Sequence, residues 1–378
     1  MKFFVSAGEV SGDIHGSYLV GELKKIRPDA TFFGVGSVRL AEAGVDIKFD
    51  ISRRGTIGLL EALPNLLPIY SVFSKVKKLL LEEKPDLVIL IDSQGFNLPL
   101  ANFCKKAGIK TVYYIAPQEW LWGSQRGVDR VARSIDLIVA IFEKEYQAYK
   151  QAGANVIYFG HPLMDIVKPS MTKEETRQSL IGPEVHPSTP VITLCPGSRL
   201  HEIKRLLPIL LKAGERIKKE LPQAHFVIPV ASDQIIEEIF GLIGDFLPKA
   251  IVGQTYNLLY AADLNICASG TINLESSILG VPNIMTYKLS QLSYLIGKYV
   301  LRIGDKLPYF SMPNLLLDEK VVPELIMGDA NPENISREAL AILKDPARAE
   351  QMKENFFQLR SHLGQPGVIT RIAEKILS

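Results

Sequence analysis

The sequence predicts an α/β protein made of two Rossmann-like, doubly wound parallel domains that face a central cleft. Three observations support this fold class. The chain has 378 residues, too many for one compact core and enough for two domains of roughly 150 to 190 residues. In each half, apolar strand patterns alternate with helical patterns, as in parallel sheets covered on both faces. A polar stretch with four prolines, residues 166–190, separates the halves.

These features predict four segments. Residues 1–165 form an N-terminal domain, and residues 166–190 form a linker with one helical piece near Glu174. Residues 191–355 form a C-terminal domain. Residues 356–378 form C-terminal helices, and the sequence leaves open whether they cross back to the first domain.

Composition excludes several classes of protein. The chain is 47% hydrophobic and 22% charged with a net charge of +2, which does not indicate a nucleic-acid partner. Cys104, Cys195 and Cys267 form no Cys-x-x-Cys pair, which favours a reducing cytoplasm over disulfides or a thiolate metal site. The sequence has no Asp-x-Asp pair, and its six histidines show no ligand spacing, so we expect no metal and no cofactor. No run approaches the ~18 apolar residues of a spanning helix, and we expect a cytoplasmic protein.

The first half contains six apolar segments with the pattern of strands. They are residues 2–7, 31–36, 87–92, 111–115, 135–141 and 156–159. The first strand leads through the turn at residues 8–13 into a helix that ends near Lys25. That turn lacks the Gly-x-Gly-x-x-Gly pattern of a dinucleotide site, which disfavours a dehydrogenase.

Two carboxylates follow strands of this half at one sheet edge. Asp92 ends the strand at residues 87–92, and Glu9 follows the first strand at the equivalent position. Ligands bind at the carboxyl ends of strands in open α/β sheets, where a carboxylate can act as a general base. An aspartate that only caps the next helix would give the same pattern.

The second half begins with a strand that ends in a phosphate-sized turn. Its predicted strands are residues 191–195, 225–230, 264–268 and 283–286. The first stops at Pro196, and Gly197, Ser198 and Arg199 follow before an amphipathic helix that contains Glu202. The helix N-terminus and the arginine fork both suit a phosphate. The alternative is an ordinary βα turn with a surface arginine.

A second turn of small residues follows the strand at residues 264–268. Ser269, Gly270 and Thr271 lead into a helix, and Glu275 lies one turn further on. The turn resembles a second anion cradle, and the glutamate is placed to accept hydrogen bonds from a ribose diol. A plain glycine turn with an exposed glutamate is the alternative.

Residues 57–74 are unusually apolar for a surface segment. The apolar side chains recur at helical spacing and are Leu59, Leu63, Leu66, Leu67, Tyr70 and Phe73. Basic residues flank them: Arg53, Arg54, Lys75, Lys77 and Lys78. An amphipathic stretch with basic ends suits an anionic membrane surface. A helix packed on the sheet is the alternative.

Seven motifs along nearly the whole chain together resemble one family. They are Ser6 to Asp13, Ile91-Asp92 with Phe96-Asn97, Pro117 with Trp120 and Trp122, Gly160-His161-Pro162, Pro196 to Arg199 with Glu202, Ala268 to Thr271 with Glu275, and Pro313 to Leu316. The family is that of the lipid A disaccharide synthases, inverting glycosyltransferases of the GT-B fold. The resemblance implies transfer of a diacylglucosamine from UDP to the 6-hydroxyl of diacylglucosamine 1-phosphate, without a metal.

The resemblance also implies roles for residues. Asp92 matches the family's candidate base, and Glu9, by its place at the same sheet edge, is the second catalytic candidate. The expected donor contacts are Gly197, Ser198, Arg199, Glu202, Ser269, Gly270, Thr271, Glu275 and Asn314. The expected acceptor or sugar contacts are Ser11, Asn97, Trp120, Trp122 and His161. Membrane contact is expected from Leu63, Leu66, Leu67, Tyr70 and Phe73, on the inner face of the cytoplasmic membrane. The oligomeric state is left as monomer or homodimer.

The sequence departs from the family pattern at several positions. Gly95 stands where many members have an acidic residue, and Glu119 interrupts the tryptophan motif. These departures concern acceptor recognition more than the type of reaction. Two other functions share the predicted architecture: a UDP-N-acetylglucosamine 2-epimerase, and a non-catalytic protein that binds a sugar nucleotide or a lipid.

Overall fold

The structure, a computed structural model, describes residues 1–51, 66–121, 123–183, 185–230, 235–244, 246, 248–288 and 308–378, with the side chains of 66–69 outside this description. The chain divides into two compact units. The first unit combines Met1–Ile166 with Leu363–Ser378, and the second is Val167–His362. Among the described residues, no helix is both long and apolar enough to cross a membrane.

The first unit is built on a parallel sheet with strand order β3-β2-β1-β4-β5-β6-β7. Its strands are β1 (Lys2–Ala7), β2 (Thr31–Val35), β3 (Asp46–Phe49), β4 (Leu87–Ile91), β5 (Thr111–Tyr114), β6 (Leu137–Ala140) and β7 (Val156–Tyr158). Its first seven helices are α1 (Val10–Ile26), α2 (Val38–Glu42), α3 (Leu66–Glu83), α4 (Gln94–Lys106), α5 (Gln125–Ser134), α6 (Glu143–Gln151) and α7 (Leu163–Ile166).

The second unit repeats this plan with strand order β10-β9-β8-β11-β12-β13. Its strands are β8 (Val191–Cys195), β9 (His225–Val230), β10 (Lys249–Val252), β11 (Leu264–Ala268), β12 (Asn283–Tyr287) and β13 (Glu324–Ile326). The remaining helices are α8 (Lys173–Thr176), α9 (Leu200–Glu220), α10 (Ile236–Ile243), α11 (Thr255–Ala261), α12 (Thr271–Ile278), α13 (Met312–Leu317), α14 (Pro332–Leu343), α15 (Pro346–Leu363) and α16 (Val368–Leu377).

The central strands are the easiest elements to predict from the sequence. Every residue of β4, β8 and β11 is buried, because helices cover both faces of a parallel sheet and such strands are continuously apolar. Three strands were not predicted: β3, β10 and β13. Each lies at an end of its sheet and is partly exposed, so none has a continuous buried apolar run.

Residues 167–190 pack onto the second unit. They contain α8, which includes the expected helical residue Glu174, and a π-helical turn at Arg177–Ile181. The buried Arg177 pairs with Asp263 at 2.7 Å and donates to the carbonyl of Ala261 at 2.9 Å. A buried charge is tolerated when it is paired in this way, so Arg177 fixes this stretch to the sheet.

The last helix belongs to the first unit, which answers the question that the sequence left open. The carboxylate of Asp165 accepts hydrogen bonds from the amides of Gly367 and Ile369 at the start of α16. Gly160 approaches the carbonyl of Leu363 so closely that a Cβ would lie 2.6 Å from its oxygen. The glycine of the Gly160-His161-Pro162 motif is therefore required for the return of the chain.

Candidate functional site

Four of the seven motifs lie at the switch points, where the strand order of each sheet reverses. In the first sheet this point lies between β1 and β4, and in the second between β8 and β11. Glu9 and Asp92 follow the first pair of strands, whereas the turns at residues 196–199 and 269–271 follow the second pair. Crevices at switch points are the usual ligand sites of open α/β sheets. Each unit therefore carries its own candidate site.

The backbone at Asp92 has an uncommon conformation. Asp92 has a φ of +50°, Ser93 a φ of +48°, and Ile115, directly after the neighbouring strand β5, a φ of +61°. Left-handed conformations are unfavourable for side chains with a Cβ, above all for a β-branched residue. Strain of this kind persists where the surrounding structure enforces it, and it is frequent at active sites.

Two buried side chains hold the Asp92 backbone in place. The hydroxyl of Tyr113 donates to the carbonyl of Asp92 at 2.8 Å, and Nδ2 of Asn97 donates to the same oxygen at 2.9 Å. Burial raises the pKa of Tyr113 well above its usual value, and the Asp92 carboxylate adds to this shift. Tyr113 therefore remains a donor, and the half-buried Asp92 carboxylate is left at the sheet edge with Ser11 Oγ at 3.2 Å.

Asn97 occupies a position that differs from the expected sugar contact. It is fully buried, accepts from Ser6 Oγ at 2.6 Å and donates to the carbonyls of Ser6, Ile91 and Asp92. Its side-chain amide thus links the ends of β1 and β4, and protein groups occupy its hydrogen-bonding positions. In the structure Asn97 supports the backbone of the site through these hydrogen bonds.

His161 is likewise buried, although a sugar contact was expected. Burial lowers its pKa to about 3, its Nδ1 accepts from the amide of Leu163 at 3.1 Å, and its ring packs on Phe142 with centroids 4.9 Å apart. Trp120 also packs on Phe142, with ring centroids 6.0 Å apart. Trp122 lies outside the described residues.

The turn after β8 packs closely against the first turn of the following helix. Gly197 has a φ of +111°, and a Cβ there would lie 2.6 Å from Oε2 of Glu202. Helix α9 begins at Leu200 with Arg199 as its N-cap, and the Arg199 guanidinium donates to Oε1 of Glu202 at 3.1 Å. Ser198 is exposed. The structure brings these four predicted residues together around one helix start, which suits an anion.

The turn after β11 forms a second helix start at the same sheet edge. Gly270 caps α12 with a φ of +137°, Ser269 is half-buried and Thr271 is exposed. Glu275 is half-buried. Burial raises its pKa to about 7, and a hydrogen bond from Thr271 opposes the shift. The raised pKa favours the protonated carboxyl group, and a ligand that donates hydrogen bonds to the carboxylate would favour its ionised form.

Asn314 has a structural role in the described residues, where a donor contact was expected. It is fully buried. Its Oδ1 accepts from the amides of Val321 and Val322, each at 2.8 Å, and its Nδ2 donates to the Val322 carbonyl and to Glu324. All four hydrogen-bonding positions of the amide are thus occupied. Asn314 holds the connection between α13 and β13 in place.

The predicted membrane segment is only partly described. Leu63 lies outside the described residues, and for Leu66 and Leu67 only the helical backbone of α3 is described. Tyr70 is 69% exposed. Phe73 packs edge-on against Phe96 with centroids 5.7 Å apart and borders the core of the first unit, so it is part of the domain packing.

A family model described as lipid-A-disaccharide synthetase matches residues 3–371. The chain belongs to this family. Lipid-A-disaccharide synthases from Syntrophus aciditrophicus and Nitrosococcus oceani are each 39% identical to it, over 99% and 98% of this chain and 96% and 94% of theirs. The chain is an enzyme of the glycosyltransferase class, as the family resemblance predicted.

Solved structures show the same fold at low identity. A UDP-GlcNAc 2-epimerase from Neisseria meningitidis, bound to UDP-GlcNAc, superposes with a TM-score of 0.69 at 16% identity and covers 100% of both chains. A putative UDP-N-acetylglucosamine 2-epimerase from Listeria monocytogenes gives a TM-score of 0.65 at 14% identity over 100% of this chain and 94% of that one. These likenesses confirm the predicted GT-B architecture of two parallel α/β domains.

Sequence reasoning missed three residues near Asp92. His15, Ser93 and Tyr114 are buried, and each has a polar side-chain atom that lacks a hydrogen-bond partner among the described residues. His15 follows Ser11 by four residues on α1, a spacing that places both on one helix face. That spacing was available in the sequence, whereas the missing partners of Ser93 and Tyr114 were not.

Proposed function

We propose that the chain joins UDP-2,3-diacylglucosamine to 2,3-diacylglucosamine 1-phosphate, lipid X, and releases UDP. The product is the β-1,6-linked lipid A disaccharide 1-phosphate, formed with inversion at C1. The match of residues 3–371 to the lipid-A-disaccharide synthetase family supports this proposal most strongly. The placement of one motif set at each switch point is consistent with it.

In the proposed mechanism Asp92 is the general base. Its carboxylate takes the proton of the acceptor 6-hydroxyl while the hydroxyl oxygen forms a bond to C1 of the donor sugar. The bond between C1 and the diphosphate oxygen breaks on the opposite face, and UDP leaves with the electron pair. Ser11, which donates to Oδ2 of Asp92, orients the carboxylate. Glu9, half-buried at the adjacent strand end, supplies a second carboxylate at this edge.

The second unit supplies the donor contacts in this proposal. Negative charge grows on the diphosphate as the C1–O bond breaks, and preorganised donors stabilise such charge best. Arg199 and the amides at the starts of α9 and α12 are those donors. Glu275 accepts hydrogen bonds from the ribose hydroxyls. No step in this mechanism requires a metal ion.

We propose that the first unit contacts an anionic membrane through α3. Both substrates carry acyl chains, so the enzyme must meet them at a lipid surface. The exposed ring of Tyr70 and the lysines of the same helix, Lys75, Lys77 and Lys78, fit an interface that combines apolar insertion with attraction to anionic lipids. This contact would place the enzyme at the inner face of the cytoplasmic membrane.

One experiment tests the proposed reaction directly. The purified chain is incubated with UDP-2,3-diacylglucosamine and lipid X, and the products are identified by mass spectrometry. A disaccharide 1-phosphate together with UDP is the expected result. An epimerised UDP-sugar would instead favour the epimerase whose fold the chain shares, and binding of UDP without turnover would favour a non-catalytic protein.

A further inference from the structure

Unpartnered polar atoms are concentrated around the ends of β4 and β5. In the described part of the chain, six buried side-chain atoms lack a hydrogen-bond partner: His15 Nδ1, Ser93 Oγ, Tyr114 OH, Trp120 Nε1, Glu145 Oε1 and Asn273 Oδ1. Tyr114 ends β5, Ser93 lies two residues after the end of β4, and the ring of His15 packs on that of Tyr114. Because burial of an unpaired polar group is costly, such a concentration indicates groups that gain partners from a ligand.

His15 and Tyr114 form a pair within this group. Their rings meet edge to face with centroids 6.3 Å apart, and the residues are 7% and 0% exposed. Tyr114 is the register partner of Ile91, the residue before Asp92, and its carbonyl accepts from the Asp92 amide at 3.2 Å. His15 lies one turn beyond Ser11, which bonds to the Asp92 carboxylate. The backbone of Tyr114 therefore adjoins the strand end that carries Asp92, and His15 lies on the helix that contacts the Asp92 carboxylate.

Both members of the pair are uncharged at neutral pH. Burial lowers the pKa of His15 to about 4 and raises that of Tyr114 above its usual value, with the Asp165 carboxylate as a smaller contribution to the latter. The neighbouring His161 is neutral for the same reason. A phosphate would find no compensating charge here and would be costly to bury. A sugar hydroxyl, which both donates and accepts, matches an uncharged imidazole and phenol.

We propose that His15 and Tyr114 form a subsite for an uncharged hydroxyl of the acceptor sugar and so hold its ring beside Asp92. The assignment rests on the proposed glycosyl transfer. Tyr114 is fully covered in the structure, so entry of the hydroxyl requires the covering side chains to move. The strained φ of Ile115, the next residue, places a conformationally unfavourable link directly beside the pair.

Tyr114→Phe tests the subsite, because it removes only the hydroxyl. We expect the melting temperature of the free protein to stay constant or rise, because an unpaired buried group is lost. We expect lipid X binding, measured at equilibrium in detergent micelles without donor, to weaken about tenfold, the effect of one lost hydrogen bond. UDP affinity should be unchanged.

Tyr149→Phe is the matched control. Tyr149 is also fully buried, but its hydroxyl donates to the Pro117 carbonyl, so this change should lower the melting temperature and leave lipid X binding intact.

A second variant checks that the two side chains serve one ligand group. If His15 and Tyr114 bind the same hydroxyl, the loss of lipid X affinity in His15→Phe with Tyr114→Phe should be smaller than the sum of the single losses. Unchanged lipid X affinity in Tyr114→Phe, or a lowered melting temperature, would overturn the subsite. The proposed reaction is judged separately by disaccharide formation in the wild type. Product formation by Tyr114→Phe with a normal KM for lipid X would overturn the subsite alone.

Discussion

The hydroxyl of Ser11 on helix α1 donates a hydrogen bond to Oδ2 of Asp92 over 3.2 Å. The first turn of α1 thereby orients the carboxylate that ends β4. Because Asp92 itself has an unfavourable φ of +50°, its position depends on such contacts from neighbouring elements. The motif at residues 6–13 therefore supplies a side chain that holds the Asp92 carboxylate.

Ser11→Ala should lower kcat for disaccharide formation by about 10- to 10²-fold, because a hydrogen bond to a charged group contributes about 1.5–3 kcal/mol. UDP affinity should not change. Ser17→Ala is the control, since Ser17 lies on the same helix but donates to the carbonyl of Ile14. Equal kinetics for the two variants would mean that Ser11 does not orient Asp92.

Arg199→Ala should weaken UDP binding and lower kcat by about 10²-fold, the usual loss for one donor to a charge that grows in the transition state. Arg348→Ala removes an arginine of the same unit that pairs with Glu338 and should leave both unchanged. Steady-state kinetics and calorimetry with UDP give the two quantities. Inhibition of the wild type by a chelator would contradict the metal-free mechanism.

UDP affinity should depend on the ionisation of Glu275. The pKa of Glu275 in the folded protein is about 7, above the ordinary 4.5, so the folded state favours the protonated carboxyl group. The contribution of Glu275 to the free energy of unfolding therefore falls as the pH rises from 4.5 through 7. The ribose hydroxyls need the ionised carboxylate as acceptor, and UDP should bind more tightly at pH 8 than at pH 6. In Glu275→Gln this component of the pH dependence should disappear. An identical pH profile in wild type and variant would exclude Glu275 from the ribose contact.

Changing Leu66, Leu67 and Tyr70 to serine should release the protein from anionic vesicles. Each buried apolar side chain contributes at most roughly 1.5–3 kcal/mol, and each nearby lysine about 1 kcal/mol. The control is the double change Phe240→Ser and Phe357→Ser, which removes two exposed aromatic side chains of the second unit. Vesicle flotation at low salt compares the variants. Undiminished binding of the triple variant would move the membrane contact elsewhere.

The sequence was sufficient to predict the central strands, because buried central strands have a local signature. The continuous apolar runs of β4 and β8 end at Asp92 and Pro196, so the same pattern that predicts the strands also places the motifs at their carboxyl ends. Edge strands such as β3 lack this signature, because one side of the strand is not covered. Their pairing depends on neighbours that are distant in sequence.

The sequence was less informative about which motif residues face a ligand. Asn97, His161 and Asn314 resemble polar binding residues, yet each is buried and bonded to backbone groups. Motif membership does not distinguish a residue that contacts substrate from one that supports the contacting residue. That distinction depends on tertiary hydrogen bonds, which no local pattern encodes.

The most direct test of the proposed mechanism is disaccharide formation by Asp92→Asn. The amide has almost the same size as the carboxylate but cannot accept the proton of the acceptor hydroxyl. Product formation is followed by mass spectrometry after single-turnover mixing of enzyme, UDP-2,3-diacylglucosamine and lipid X, with UDP affinity measured in parallel. We expect UDP affinity to be retained and product formation to be abolished. Product formation at a rate near that of the wild type would contradict the role of Asp92 as the base.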